Sequence, residues 1–142
     1  MALNLKKVLK TIEKELDKEW GNLDFEYSIE DDTATVTADL TLNNHDDDIK
    51  TMITVFEGGA AVFRAVFDEI EKTPRVLALL NDFNCEHPFF TAFVREDGFL
   101  ELRHFVFLSD ENAINEYPSE FLIRLANLAD SETLLKLTRF TY

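Results

Sequence analysis

LDFEYSIEDDTATVTADLTL, Leu23 to Leu42, changes sides at almost every residue. Leu23, Phe25, Tyr27 and Ile29 alternate with Asp24, Glu26 and Ser28; after Glu30, Asp31 and Asp32, the set Ala34, Val36, Ala38, Leu40 and Leu42 alternates with Thr33, Thr35, Thr37, Asp39 and Thr41. A period of two sends successive side chains to opposite faces of a sheet, so the pattern predicts two antiparallel strands with one face in a core and one in water. The acidic triplet between them is their turn.

Working outward, the pattern changes period. Leu5, Val8, Leu9, Ile12, Leu16 and Trp20 recur at helical spacing, with five lysines off the stripe, which predicts an amphipathic first helix stopped near Gly21. Its wet face mixes lysines with acids, so it is not a basic membrane helix. After the loop NNHDDD, Ile49 to Phe56 and Ala61 to Phe67 read as a hairpin turning through Glu57, Gly58 and Gly59. Thr73 and Pro74 mark a helix start, as N-cap and first helical residue. Phe89 to Arg95 and Phe99 to Leu108 form a second hairpin around Glu96, Asp97 and Gly98. Pro118 opens a last helical region, with Asp130 or Ser131 able to recap its final turn. The expected fold class is α+β: about six antiparallel strands with helices mainly on one face, in the order α-β-β-β-β-α-β-β-α, forming a single domain over 1–142.

Composition limits the function classes. The 142 residues carry 46% hydrophobic and 30% charged side chains, as a folded domain does. One cysteine, Cys85, excludes an internal disulfide. MALNLKKVLK lacks the apolar core of a signal peptide, and no apolar run approaches the ~20 residues of a membrane span, so a cytoplasmic location is expected. A net charge of −14 disfavours nucleic acid and anionic membrane as partners. Between Gly21 and Phe63 there are ten carboxylates and one lysine, Lys50. Their bland reading is a solvated surface; their sharper one is attraction to a basic partner.

The helix that begins at Thr73 ends in LLNDFN. A lysine-rich first helix, an antiparallel meander, that ending, the hairpin FFTAFVREDGFLELRHFVF and a C-terminal helix together resemble the YbjN family, within the wider group sharing the type III secretion chaperone-like fold. Leu79, Leu80, Asn81 and Asn84, followed by the hairpin, carry the sharpest part of the resemblance. It implies an α+β fold and self-association. For the secretion chaperones it implies small acidic dimers that hold an extended stretch of an effector, although their opening has three strands where four are read here. For YbjN-like proteins it implies regulatory or chaperone-like roles and no catalytic residues.

Few residues suggest chemistry. Asn81 and Asn84 share a helix face and suit a structural helix end, bonding a nearby strand or free carbonyls. His45, Asp46, Asp47 and Asp48 offer donors to a cation, but without the spacing of a calcium loop, and a hairpin tip is the plainer reading. Cys85, His87 and His104 lack the further ligands of a zinc site, and His104 falls on an apolar strand face. The four glycines are taken by turns and a helix stop, leaving none for a phosphate cradle. No cofactor, metal or catalytic set is expected.

The positive signal is aromatic. If Leu100, Leu102, Val106 and Leu108 face the helices, Phe99, Phe105 and Phe107 point the other way beside Glu101 and Arg103, and Phe89, Phe90 and Phe93 load both faces of the partner strand. With thirteen phenylalanines in the chain, this surplus predicts a second buried surface: a homodimer interface, a groove for an apolar peptide, or a face wrapped by the terminal helices. The expected function is a non-enzymatic protein-binding module, chaperone-like or regulatory and homodimeric. The alternative is an acidic nucleic-acid mimic in the basic groove of a DNA-binding protein.

Overall fold

The computed structural model describes residues 2–45 and 47–139. Its elements follow in the expected order: α1 (Leu5–Trp20), β1 (Glu26–Glu30), β2 (Thr33–Leu40), β3 (Ile49–Phe56), β4 (Ala60–Glu69), α2 (Pro74–Glu86), β5 (Thr91–Val94), β6 (Phe99–Phe107), α3 (Tyr117–Asn127) and α4 (Glu132–Thr138). Short 3₁₀ turns at Glu111–Ile114 and Leu128–Asp130 flank α3.

All six strands form one antiparallel sheet in the order β1-β2-β3-β4-β6-β5. The first four make a meander. The chain then leaves through α2, passes over the position of β6, and returns as the short edge strand β5. β6 therefore fills the gap between β5 and β4. This crossover is what the hairpin pattern could not show.

Local chemistry sets the helix ends. Asn4 caps α1 by accepting from the Lys7 amide, and Gly21 closes it in ordinary right-handed geometry. Thr73 caps α2 through its hydroxyl, with Pro74 next. Ser131 caps α4 by accepting from the Leu134 amide. At the β3–β4 turn Gly59 adopts φ +110°, and an added Cβ would meet the Leu108 carbonyl oxygen at 3.0 Å. At the β5–β6 turn Gly98 adopts φ +89°.

One sheet face packs under the helices. Ala34 and Val36 on β2, Ile53 and Val55 on β3, Ala61, Phe63 and Ala65 on β4, and Leu100 and Leu102 on β6 are all buried there, against Val8, Ile12 and Leu16 of α1. Phe63 is fully buried and meets Phe121 of α3 at 5.4 Å between ring centroids. This layer is the core, and its burial of apolar area is the main stabilising term. Among the described residues no helix packs on the other sheet face.

Two sequence boundaries move. α2 does not end at Asn84 but runs on to Glu86, with the His87 amide donating to the Phe83 carbonyl at 2.8 Å. Asn84 is thus inside the last turn rather than in a left-handed cap. Strand β5 is only Thr91–Val94, shorter than Phe89–Arg95, because the residues from His87 to Phe90 are taken by the turn that brings the chain off α2.

Candidate functional site

The helix-free face can be read row by row from the strand register. One row runs Asp39, Lys50, Val66, Glu101, Phe93 from β2 to β5. The next runs Glu26, Thr37, Met52, Arg64, Arg103, Thr91 from β1 to β5. The following rows turn apolar on the β4–β6 side: Val62 pairs with Phe105, and Ala60 with Phe107. Phe56 stands at the end of β3 beside this set.

The aromatic end is open. Phe107 is 74% exposed and Phe105 49% exposed, and their rings meet edge to face at 5.0 Å. Phe56 is also exposed. Aromatic rings left in water beside one another are costly to hydrate. The expectation that the terminal helices wrap this face fails: α3 packs instead on the Phe63 side of the sheet.

The other end is a cleft of about 1040 Å³, with Thr37, Met52 and Val66 in its floor. Glu101 lies within it and is only 2% exposed. Burial of a carboxylate is tolerable only with cations at hand. Three supply them. Arg103 donates Nε to Glu101 Oε2 at 2.9 Å and brings its terminal nitrogen to 2.8 Å from the same oxygen. Arg95 reaches Oε1 at 3.6 Å and also holds Asp97 at 2.6 Å. Arg64 comes no nearer than 3.9 Å to Oε2, and its Nη1 lies 3.8 Å from the Met52 sulfur. Burial pulls the Arg64 pKa below its usual value; Glu101 opposes this, and the Arg103 and Arg95 charges add to it. Arg103 also stacks over Phe93 at 4.9 Å and Arg95 over Phe99 at 5.9 Å, so both rings serve as platforms for guanidinium groups. Asp24, Glu26 and Asp39 line the cleft towards β1 and β2, with Lys50 opposite Asp39, so that wall carries a net negative charge against the arginines across from it.

The sequence pattern of the YbjN family, described as "Putative bacterial sensory transduction regulator", matches residues 17–116. The chain belongs to the YbjN family. The match runs from the end of α1 through β6, so it includes both the aromatic end and the arginine cleft. No curated protein and no solved structure matches the chain.

In this YbjN-family chain the residues singled out from sequence separate into distinct places. Phe93, Phe99, Phe105 and Phe107 share the helix-free face. Phe89 does not: it stacks on His104 at 3.8 Å and under the Arg124 guanidinium of α3, on the helix side. His104 bonds through Nδ1 with the Phe89 carbonyl at 2.8 Å, the satisfied, partly buried histidine that its strand face predicts.

Asn84 is the tie between helix and sheet. Its Oδ1 accepts from the Ala92 amide at 2.7 Å and its Nδ2 donates to the Ala92 carbonyl at 3.2 Å, so one side chain satisfies both backbone groups of an edge-strand residue. Asn81, one turn earlier, is exposed.

The other candidates do not converge. Cys85 is exposed on α2, and among the described residues no group of three or more histidine, cysteine, aspartate or glutamate side chains is placed to hold a metal ion. Asp46 lies outside the described residues. Asp47 hydrogen-bonds Asp68, and that bond, with burial and the Asp47 charge behind it, raises the Asp68 pKa. The carboxylates from Gly21 to Phe63 form no single row. Glu26, Glu30 and Asp39 lie on strands, Asp47 and Asp48 in the β2–β3 loop at one end of the sheet, and Asp31, Asp32 and Glu57 in the β1–β2 and β3–β4 turns at the other, where the Glu57 amide donates to the Asp32 carbonyl at 2.8 Å. Phosphate mimicry needs regular spacing on one face, so it gains no support. No described helix is long and apolar enough to cross a membrane.

The arginine cleft was not visible in sequence. Glu101 and Arg103 are marked there as pointing away from the helices, but Arg64 and Arg95 come from β4 and the β5–β6 turn. Only the insertion of β6 beside β4 brings them to one carboxylate.

Proposed function

We propose that this is a non-enzymatic, protein-binding regulator of chaperone-like type, acting in the cytoplasm as a homodimer through the helix-free face of its sheet. The observation that carries the reading is the pair Phe105 and Phe107, packed on each other yet 49% and 74% exposed, on a face the helices leave bare. An exposed aromatic patch on a strand surface is suited to covering by a second protein surface, where buried aromatic anchors dominate the binding energy. Membership of a family described as regulatory agrees with this reading.

Sedimentation equilibrium tests it. The native chain is expected to be a dimer at micromolar concentration, and Phe107→Asp a folded monomer. A native monomer, or an unchanged dimer in the variant, contradicts the reading.

A further inference from the structure

The arginine cleft lies on the same face as Phe107 but away from it. Arg103 and Phe107 are four residues apart on β6, about 13 Å at the usual strand rise, so the cleft and the aromatic end are distinct stretches of that face. Arg64 and Arg103 are direct cross-strand partners on neighbouring inner strands of the sheet. Like charges so placed destabilise a strand pair. Glu101 offsets this for Arg103 at 2.8 Å but only weakly for Arg64 at 3.9 Å. Arg64 is the central cation of the cleft floor, 28% exposed, with a fork of donors and no carboxylate within hydrogen-bonding distance among the described residues. A guanidinium in this setting suits one further carboxylate, bound in bidentate fashion.

The opposite wall limits what that carboxylate can belong to. Asp24, Glu26 and Asp39 line the same cleft. Across three strand spacings, Glu26 stands about 14 Å from Arg64. A polyanion spanning the cleft meets those acids and is repelled, whereas a segment bearing a single acidic residue is not. Met52 and Val66 supply an apolar floor for the neighbouring side chains of such a segment.

We propose that the cleft around Arg64 is a docking site for an acidic side chain presented by an extended segment of a protein partner. This rests on the reading of the helix-free face as a protein-binding surface and names the chemistry of the partner.

The test is a titration of ¹⁵N-labelled protein followed at the arginine Nε–Hε signals. The probes are the capped peptide Ser-Leu-Glu-Leu-Ser, its Gln counterpart, inorganic phosphate and a short single-stranded oligonucleotide. The Glu peptide is expected to shift the Arg64 and Arg103 signals saturably, with affinity falling at least tenfold at high salt; the Gln peptide is expected to bind at least tenfold more weakly. Arg64→Gln is expected to remove the difference between the two peptides, and Arg103→Gln serves as a second variant should the first melt early. Equal binding of the Gln peptide, absence of any Arg64 shift, or phosphate or oligonucleotide binding as tightly as the Glu peptide overturns the proposal. If sedimentation still shows a dimer that Phe107→Asp dissociates, such a result removes the acidic-segment site alone and leaves the protein-binding reading standing.

Discussion

Arg64 and Arg103 face each other across β4 and β6, and one buried carboxylate, Glu101, bonds Arg103 at 2.8 Å but stands 3.9 Å from Arg64. Taking Glu101 away leaves three guanidinium groups crowded on one patch of sheet. Loss of one member of a fully buried ion pair costs 3–5 kcal/mol, but these arginines are partly solvated, so Glu101→Leu is expected to lower unfolding stability by about 2 kcal/mol. Urea titration of the two proteins measures it. A stabilised variant shows that packing outweighs the charges here.

Asn84 replaces a strand partner for Ala92. Asn84→Ala strips both backbone groups of a nearly buried residue, and the expected loss is about 1–3 kcal/mol. Hydrogen exchange localises it: the Ala92 amide is expected to lose protection more than amides in the centre of the sheet. Asn84→Asp keeps the acceptor and is expected to keep that amide slow.

Tyr27 carries a pH signature. Burial, with the carboxylates of Asp17 and Glu13 behind it, pushes its pKa up to about 12 from 10.0. Between these values the unfolded chain releases the phenolic proton while the folded chain keeps it, so stability falls as pH rises through that window. Its hydroxyl is buried without a hydrogen-bond partner among the described residues. Tyr27→Phe is therefore expected to match or exceed the native stability at pH 7 and to flatten the decline above pH 10, read from thermal melts across the alkaline range.

The phenylalanines divide into two classes that substitution separates. Phe63→Ala opens a hole at the fully buried centre of the helix–sheet layer, at about 3–5 kcal/mol. Phe107→Ala, on a side chain 74% exposed, is expected to stay within about 0.5 kcal/mol in the unfolding of dilute protein. Equal penalties mean that Phe107 is part of the core.

Much of the fold was legible because its strands are half in water. The alternation through β2 shows which side chains face the core, whereas on the edge strand β1 Ile29 is left exposed, and Thr73 and Ser131 announce their helices through chemistry confined to one turn. Alternation also places Phe105 and Phe107 on the far side of β6. It does not show what covers that side, because the choice depends on where α3 packs. The same limit explains Phe89, whose position before a short edge strand turns it under Arg124 instead of onto the open face. The cluster around Glu101 was illegible for a topological reason: its arginines are scattered over forty residues, from Arg64 to Arg103, and meet only because β6 inserts next to β4.

The account stands most directly on which face meets a second copy. Phe107 on the sheet, and Leu77 and Ile123 on the helices, are all large exposed apolar residues, at 74%, 47% and 48% exposure. Replacing each in turn with a photo-crosslinking phenylalanine analogue and irradiating the purified protein compares the two sides of the molecule. A covalent dimer formed at position 107, and not at 77 or 123, is the predicted result. Crosslinking at 77 or 123 with position 107 silent contradicts it.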